Sequence, residues 1–145
     1  MQLTLFTDYA LRTLMYLGAR PGVVVPASAI SAAYDISPDH IAKVAKWLAQ
    51  HDYVRAERGK GGGIVLARAP RSIRIGALVR ETEPTVALVE CFDPKTNRCI
   101  LNPSCGLKRA LSQARDAFLS TLDGYTLADV LGSRSELVQL LRRTS

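Results

Sequence analysis

The sequence predicts a mainly α-helical protein with one small β-hairpin. Apolar residues recur at helical spacing near the N-terminus and again after residue 103, so both segments are predicted to be helices. A run of glycines separates two short β-prone stretches within residues 53–68, which is typical of a hairpin. A chain of 145 residues suits one domain, or a small domain with an appendage.

The first helix is predicted over residues 3–19. Its apolar side chains recur every three or four residues, with Arg12 and Thr13 between them. A short strand is expected at residues 23–25, and a short helix should follow from residue 26 to about residue 34.

A further helix is predicted from Pro38 to about His51. Ser37 can cap it, and proline fits the first helical position because its missing N–H would be unpaired there in any case. The inner stripe of this helix is apolar, and the outer side is mostly polar: Asp39, Lys43, Lys46, Trp47 and Gln50. Two helices joined by a tight turn, the second with a basic outer face, form a helix-turn-helix pattern.

Residues 53–57 and 64–67 are predicted strands joined by a loop rich in glycine and basic residues. A helix-turn-helix followed at once by a basic hairpin is a winged helix, so residues 1–83 are predicted to be a winged helix-turn-helix DNA-binding domain. A phosphate-binding P-loop is disfavoured because Lys60 precedes the glycines and a strand follows them.

The positive charge is concentrated in the predicted winged helix. Residues 1–80 carry 11 Lys/Arg and 5 Asp/Glu, whereas residues 81–145 carry 8 of each. A basic half favours a polyanion as partner. On DNA, the second helix of such a motif enters the major groove, and the basic hairpin contacts the backbone or the minor groove. The alternative is a winged helix used for protein contacts, with a solvated basic face. The candidate DNA-binding residues are Ser37, Asp39, His40, Lys43, Lys46, Arg58 and Lys60.

The second half of the chain is predicted to contain a long dimerisation helix over residues 103–123. Residues 72–83 should first form a short strand that turns into a helix. Asn102-Pro103 repeats the cap-then-proline signal, and a seam of apolar residues typical of helix–helix packing follows. Residues 124–145 should form short C-terminal helices, the last over residues 135–143. The seam consists of Leu107, Leu111, Ala114, Phe118 and Leu122.

All three cysteines lie in residues 84–106, a segment with little helical pattern. Cys91, Cys99 and Cys105 have the spacing C-x7-C-x5-C. Structural zinc sites usually show closer pairs, and a disulfide switch would leave one thiol over. Inert buried cysteines fit poorly with a loop. Soft thiolates on a loop favour an iron–sulfur cluster. The residues alone do not identify its fourth ligand, and the candidates are Asp93, a carboxylate elsewhere in the chain, or an external thiol.

No stretch of the sequence approaches the ~20 apolar residues that span a bilayer, and the N-terminus lacks the pattern of a signal peptide. A cytoplasmic protein without membrane contact is therefore expected. Catalysis is disfavoured, since the sequence shows no C-x-x-C and no nucleophile–base pair.

The sequence resembles the family of iron–sulfur winged-helix regulators that includes NsrR and IscR. The resemblance rests on MQLTLFTDYALRTLMYL, SPDHIAKVAKWLAQHDYVRAERGKGGGIVLAR, IRIGALVRETEP, the three cysteines and CGLKRALSQARDAFLSTLDGYTLADVL. Through FTDYALR, SIRIGALVRETEP and LDGYTLADVL it is most similar to the nitric-oxide-sensing NsrR subgroup.

The resemblance implies a cluster bound by Cys91, Cys99, Cys105 and the partner's Asp8, with 4Fe–4S favoured over 2Fe–2S. Arg12 then either forms an ordinary i,i+4 ion pair with Asp8 or relays a signal from the cluster to the DNA-binding domain. The seven residues between the first two cysteines exceed the four or five typical of the subgroup.

The resemblance further implies a homodimeric transcriptional repressor that binds a palindromic promoter site and releases it when nitric oxide nitrosylates the cluster. A regulator of the same family that senses iron–sulfur supply or redox state is the main alternative. The IscR type places a histidine three residues after the last cysteine, where this sequence has Lys108. A zinc or thiol-switch protein is a further alternative.

Overall fold

Residues 2–142 are described by the computed structural model, apart from the side chain of Pro103. This part of the chain contains seven helices and one two-stranded antiparallel sheet, which confirms the predicted fold class. Residue 143, the predicted end of the last helix, lies outside the described range. The helices are α1 (Leu5–Gly18), α2 (Ala27–Tyr34), α3 (Pro38–Gln50), α4 (Ile75–Thr82), α5 (Gly106–Asp123), α6 (Leu127–Val130) and α7 (Arg134–Arg142).

The first helix begins at a capping residue and buries one face against α3. The Thr4 side chain accepts a hydrogen bond from the backbone N–H of Thr7, and Ala10, Leu14 and Leu17 lie in the core. Thr13, which the sequence pattern placed between the apolar positions, is fully buried as well. The buried face of α1 is therefore wider than the apolar stripe, because α1 packs against several other elements.

The sheet is a single hairpin of β1 (Val54–Glu57) and β2 (Gly63–Leu66). The predicted strand at residues 23–25 is wrong: Val25 instead forms one isolated antiparallel bridge with Ile64, with N···O distances of 2.9 and 2.8 Å. Gly63 lies against the Val25 carbonyl so closely that a Cβ atom would overlap it. That contact joins the hairpin to the segment before α2.

The strand predicted at the start of residues 72–83 is also absent. A 3-10 turn at Pro70–Ser72 and a single bridge between Arg74 and Thr126 precede α4. Arg74 donates to the Asp123 carbonyl oxygen at 2.9 Å, and Arg80 binds the Asp123 carboxylate. These contacts attach the C-terminal end of α5 to the winged helix.

The long helix begins later than its cap-then-proline signal predicts. Asn102–Ser104 is a separate 3-10 turn, and Cys105 takes an extended conformation (φ −78°, ψ 111°) before α5 begins at Gly106. Cys105 is thus the N-cap residue of α5 instead of a residue of its first turn.

The predicted apolar seam of α5 is only partly covered. Leu107 is 67% exposed, Ala114 is exposed, and the other three seam residues are half-buried. The buried α5 residue is Leu119, which the seam did not include. In addition, no described helix is both long and apolar enough to traverse a bilayer.

Candidate functional site

The outer face of α3 carries the residues predicted to read DNA. Asp39, His40, Lys43 and Lys46 are all exposed, while Ile41, Val44, Ala45 and Leu48 are buried. Ser37 is the N-cap residue and is exposed, and within the described residues its side chain makes no capping hydrogen bond. Pro38 and the buried stripe therefore establish the start of α3, and the Ser37 hydroxyl faces outwards.

Aromatic contacts hold α3 against the N-terminal turns of α1. The rings of Phe6 and Trp47 meet edge to face at a centroid distance of 5.8 Å, and Tyr9 lies 5.8 Å from His40. The helical pattern had placed Trp47 on the outer side, but Trp47 is half-buried and stacks on His51 at 3.8 Å. The sequence carries no signal for the two contacts between α1 and α3, because each joins residues more than 30 positions apart.

The hairpin presents its two predicted DNA-binding residues at an exposed tip. Arg58 and Lys60 flank Gly59, and Gly59 and Gly61 have φ values of +98° and +78°, which glycine adopts without steric cost. The tip therefore projects two cations on a tight glycine turn.

The base of the hairpin is fixed by Tyr53. Its hydroxyl donates to Glu81 of α4 at 2.9 Å, and the Arg68 guanidinium lies 4.6 Å from the ring centre. Burial, together with the hydrogen bond to Glu81, raises the pKa of Tyr53 well above its usual value. Arg68 also donates to the carbonyl oxygens of Asp52 and His51, at 2.9 and 2.8 Å. This arginine thus stabilises the fold, although it adds to the basic charge of the region.

The three cysteines line one cavity of about 310 Å³ at the N-terminal end of α5. Cys91 and Cys105 are half-buried and Cys99 is exposed, and all three are free thiols. The Cys105 sulfur accepts a hydrogen bond from the backbone N–H of Lys108 at 3.4 Å, as an N-cap side chain does. We call this space the thiol cavity, and its other lining residues are Val89, Glu90, Leu101, Leu107, Lys108 and Leu111.

Within residues 2–142, no three His, Cys, Asp or Glu side chains are grouped tightly enough to hold one metal ion. The lining of the thiol cavity includes Glu90 but neither Asp93 nor Asp8 of the same chain. The Asp93 carboxylate instead accepts a hydrogen bond from the N–H of Lys95 at 2.9 Å. The structure thus places the three thiols around one cavity without grouping them tightly enough for a single metal ion, and no described aspartate of the same chain joins them there.

Asp8 lies in the first turn of α1 and pairs with Arg12. The Arg12 Nη2 atom is 2.9 Å from an Asp8 carboxylate oxygen, and the two side chains are 45% and 38% exposed respectively. The i,i+4 ion pair considered in the sequence is therefore present. An exposed pair of this kind contributes little stability, so Asp8 can change partner at low cost.

Glu83 attaches the start of α1 to the end of α4. One of its carboxylate oxygens accepts from the Thr4 N–H at 2.8 Å and lies 2.5 Å from the Thr7 hydroxyl. The Thr7 hydroxyl is also 2.9 Å from the Thr82 hydroxyl, and both threonines are buried. Glu83 immediately precedes the segment that leads to Cys91, so the turn bearing Asp8 and the start of the cysteine segment share one anchor. No pattern in the sequence indicates this role for Glu83.

Comparison with known proteins agrees with this architecture. A family model described as "Rrf2: Iron-dependent Transcriptional regulator" matches residues 3–133. The chain belongs to the Rrf2 family. Its membership confirms that the protein is a transcriptional regulator and not an enzyme.

Relatives of this Rrf2 protein match it over nearly its whole length. The HTH-type transcriptional regulator NsrR of Bacillus subtilis (strain 168) is 45% identical, over 98% of each chain. NsrR of Geobacillus kaustophilus (strain HTA426) is 48% identical, over 98% of this chain and 97% of the relative. The predicted resemblance to NsrR is thereby confirmed.

Solved structures share the Rrf2 fold. CymR (YrzC), the global cysteine regulator of B. subtilis, superposes with a TM-score of 0.74 at 25% identity, covering 90% of this chain and 96% of CymR. IscR of T. potens superposes with a TM-score of 0.72 at 22% identity, covering 90% of this chain and 86% of the IscR chain. Because the identity is this low, the IscR match shows only that the two proteins share a fold.

Proposed function

We propose that this Rrf2 protein is a homodimeric, DNA-binding transcriptional repressor that responds to nitric oxide. It would hold an iron–sulfur cluster, 4Fe–4S rather than 2Fe–2S, through Cys91, Cys99, Cys105 and the partner's Asp8. The observation that carries the proposal is that all three thiols line one cavity. The family description and the NsrR relatives support it.

The donor set of the thiol cavity fits an iron–sulfur cluster. Thiolates are the soft ligands that these clusters use, and Leu101, Leu107 and Leu111 give the cavity an apolar wall. Cys105 at the N-cap of α5 faces the positive end of the helix dipole, and Lys108 adds a cation to the lining. Both would stabilise a group carried on anionic thiolates.

The fourth ligand points to a second copy of the chain. Asp8 is partly exposed on α1 and does not belong to the described lining of its own chain's thiol cavity. Ile100 and Leu101, beside that cavity, are 92% and 64% exposed, and Leu107 on α5 is 67% exposed. Apolar surface of this kind at the cavity supports an interface that covers it, across which the partner's Asp8 would reach the thiols.

The signal to DNA would pass along α1. Asp8 is followed directly by Tyr9, which packs on His40 of α3, and Phe6 one turn earlier packs on Trp47. Holding or releasing the Asp8 carboxylate would therefore change how firmly α1 supports the helix that reads DNA. Arg12 would take up the carboxylate once it is free.

When bound, the cluster would supply iron that reacts with nitric oxide. Carboxylate oxygen is a harder ligand than thiolate and a poorer match for that iron, so Asp8 is the ligand this chain would give up most readily. Its release would uncouple the two subunits at α1 and change the spacing of the two recognition helices. A dimer binds two half-sites only at a fixed spacing, so affinity for DNA would fall.

The DNA contacts proposed for each subunit come from α3 and the hairpin tip. Ser37, Asp39, His40, Lys43 and Lys46 would face the major groove, while Arg58 and Lys60 would neutralise phosphates beside it. Binding to chromosomal DNA would place the protein in the cytoplasm.

The test is anaerobic purification, followed by an absorption spectrum, iron and sulfide assays and DNA gel shifts before and after nitric oxide. The proposal expects a coloured protein with several irons per chain that binds a duplex selected from a random pool and releases it with nitric oxide. Colourless protein that binds equally well in both conditions would refute it. Zinc in place of iron would favour the zinc alternative, and release by oxidants but not by nitric oxide would favour the redox-sensing one.

A further inference from the structure

Residues 92–98, the seven-residue spacer between Cys91 and Cys99, fold into a closed turn. The N–H groups of Thr96 and Asn97 both donate to the Asp93 carbonyl oxygen, at 3.2 and 3.0 Å. The Asp93 carboxylate accepts from the N–H of Lys95 at 2.9 Å. The extra length of the spacer is therefore taken up by a turn with its own internal hydrogen bonds, and none of residues 92–98 belongs to the described lining of the thiol cavity.

Glu90 closes the base of this turn. Its carboxylate accepts a hydrogen bond from the N–H of Arg98 at 2.5 Å, across eight residues. Glu90 directly precedes Cys91 and Arg98 directly precedes Cys99, so this contact ties together the two chain segments that carry these cysteines. Glu90 also lines the thiol cavity together with the thiols.

Two further contacts support the same geometry. The Cys99 N–H donates to the Asn97 side-chain oxygen at 3.0 Å, which orients Cys99 as the chain leaves the turn. On the other side, the Arg115 guanidinium of α5 lies 4.9 Å from the ring centre of Phe92, and this contact holds the residue after Cys91 on the long helix.

We propose that Glu90 is a positioning residue for the thiol cavity. Its carboxylate holds the two ends of the spacer together, so that Cys91 and Cys99 face one cavity despite the seven residues between them. Closing a flexible loop of this length costs entropy, and a fixed contact at its base reduces that cost for any ligand that must bind both thiols. The inference deepens the proposed function because it concerns the same site, but the placement of the thiols can be measured without iron.

The test uses the full-length, iron-free chain carrying Cys105→Ser, so that Cys91 and Cys99 are the remaining thiols. Dibromobimane, which fluoresces when it bridges two thiols, reports how often they meet, and monobromobimane corrects for the reactivity of each thiol. Glu90→Ala should slow bridging by about three- to tenfold, because the loop ends are no longer held together. Glu90→Gln retains a side-chain oxygen for the Arg98 N–H and should stay within about twofold.

Thr96→Ala is the matched control, since Thr96 is an exposed residue of the same spacer. Equal bridging in Glu90→Ala and the parent chain would overturn the proposal, and so would equal slowing in Thr96→Ala. With all three cysteines present, Glu90→Ala should also retain less iron and sulfide after anaerobic reconstitution, at an unchanged thermal unfolding midpoint. Slower bridging in a chain that takes up no iron at all would support the role of Glu90 and refute the proposed function.

Discussion

The guanidinium of Arg80 binds both carboxylate oxygens of Asp123, with N···O distances of 2.5 and 2.7 Å. Arg80 lies on α4 of the winged helix and Asp123 is the last residue of α5, so this bidentate pair joins the two parts of the chain. The hydrogen bond from Arg80 holds the pKa of Asp123 below its usual value, and the same bond raises the pKa of Arg80.

The pair predicts an acid-sensitive attachment of α5. Because the folded-state pKa of Asp123 is depressed, its contribution to stability is present above the unfolded pKa of about 4 and is lost as the pH falls through the folded pKa. Asp123→Asn should lower the thermal midpoint at pH 6, and its difference from the parent should shrink as the pH falls towards 3. Asp116→Asn is the control, since Asp116 pairs with its neighbour Arg115 on the same helix. A constant difference between Asp123→Asn and the parent across this range would contradict the prediction.

Gly76 leaves room for the end of α5. A Cβ atom at this position would lie 2.8 Å from the Asp123 backbone nitrogen and would overlap the Asp123 carboxylate. Gly76→Ala should therefore destabilise the protein by about 1–3 kcal/mol, as overpacking in a close contact does. At Gly106 a Cβ would meet none of the described atoms within 4 Å, so Gly106→Ala should change stability by less than about 0.5 kcal/mol. Urea unfolding of the iron-free proteins measures the free energy of unfolding of each variant. Equal losses of stability in Gly76→Ala and Gly106→Ala would refute the packing argument.

Two buried threonines of α1 should respond in opposite ways to the same substitution. The Thr7 hydroxyl has partners in Thr82 and Glu83, whereas the Thr13 hydroxyl is buried with no hydrogen-bond partner among the described residues. Thr7→Val should cost about 1–3 kcal/mol, because it leaves buried polar groups unpaired. Thr13→Val should be neutral or stabilising by up to about 1 kcal/mol, since it removes an unpaired hydroxyl. Urea unfolding of the two variants is the measurement, and a larger loss in Thr13→Val would contradict this prediction.

The hairpin tip should contribute affinity without sequence preference. Arg58→Ala or Lys60→Ala should weaken binding to a selected duplex and to random DNA alike, and each should reduce the slope of log K against log salt by about 0.9. His40→Ala on α3 should weaken binding to the selected duplex more than binding to random DNA, because the proposed docking would turn His40 towards base edges in the major groove. Lys95→Ala, in the turn between Cys91 and Cys99, is the control and should match the parent. Fluorescence anisotropy at several salt concentrations tests this, and an unchanged slope in both tip variants would contradict it.

Much of the fold was predictable because its signals are local. Pro38 and the apolar stripe behind it place α3, and Thr126 with Asp129 forms the capping box that starts α6. The hairpin follows from the positive φ values that Gly59 and Gly61 supply. Each of these features depends on residues within a few positions of one another.

Two of the failures arose where distant residues compete with local signals, and a third arose from the backbone conformation of one nearby residue. The β-prone segment at residues 23–25 has only Ile64 as a partner and forms a bridge instead of a strand. At Asn102-Pro103 the extended conformation of Cys105 interrupts the helix, so the proline signal produces a 3-10 turn and α5 begins at Gly106. Trp47 lies on the polar side of α3 by its spacing, yet Phe6 of α1 covers it.

The sequence by itself determined the fold class, the basic winged helix and the choice of Cys91, Cys99 and Cys105 as ligand candidates, because residue type and short-range spacing carry those signals. Only the tertiary structure decided that the three thiols share one cavity, that Glu90 closes the long spacer and that Glu83 anchors the turn bearing Asp8. The cavity and the Glu83 anchor depend on contacts between elements far apart in the chain, and the Glu90 contact on how one loop folds back on itself. A pattern of residue types does not specify such contacts.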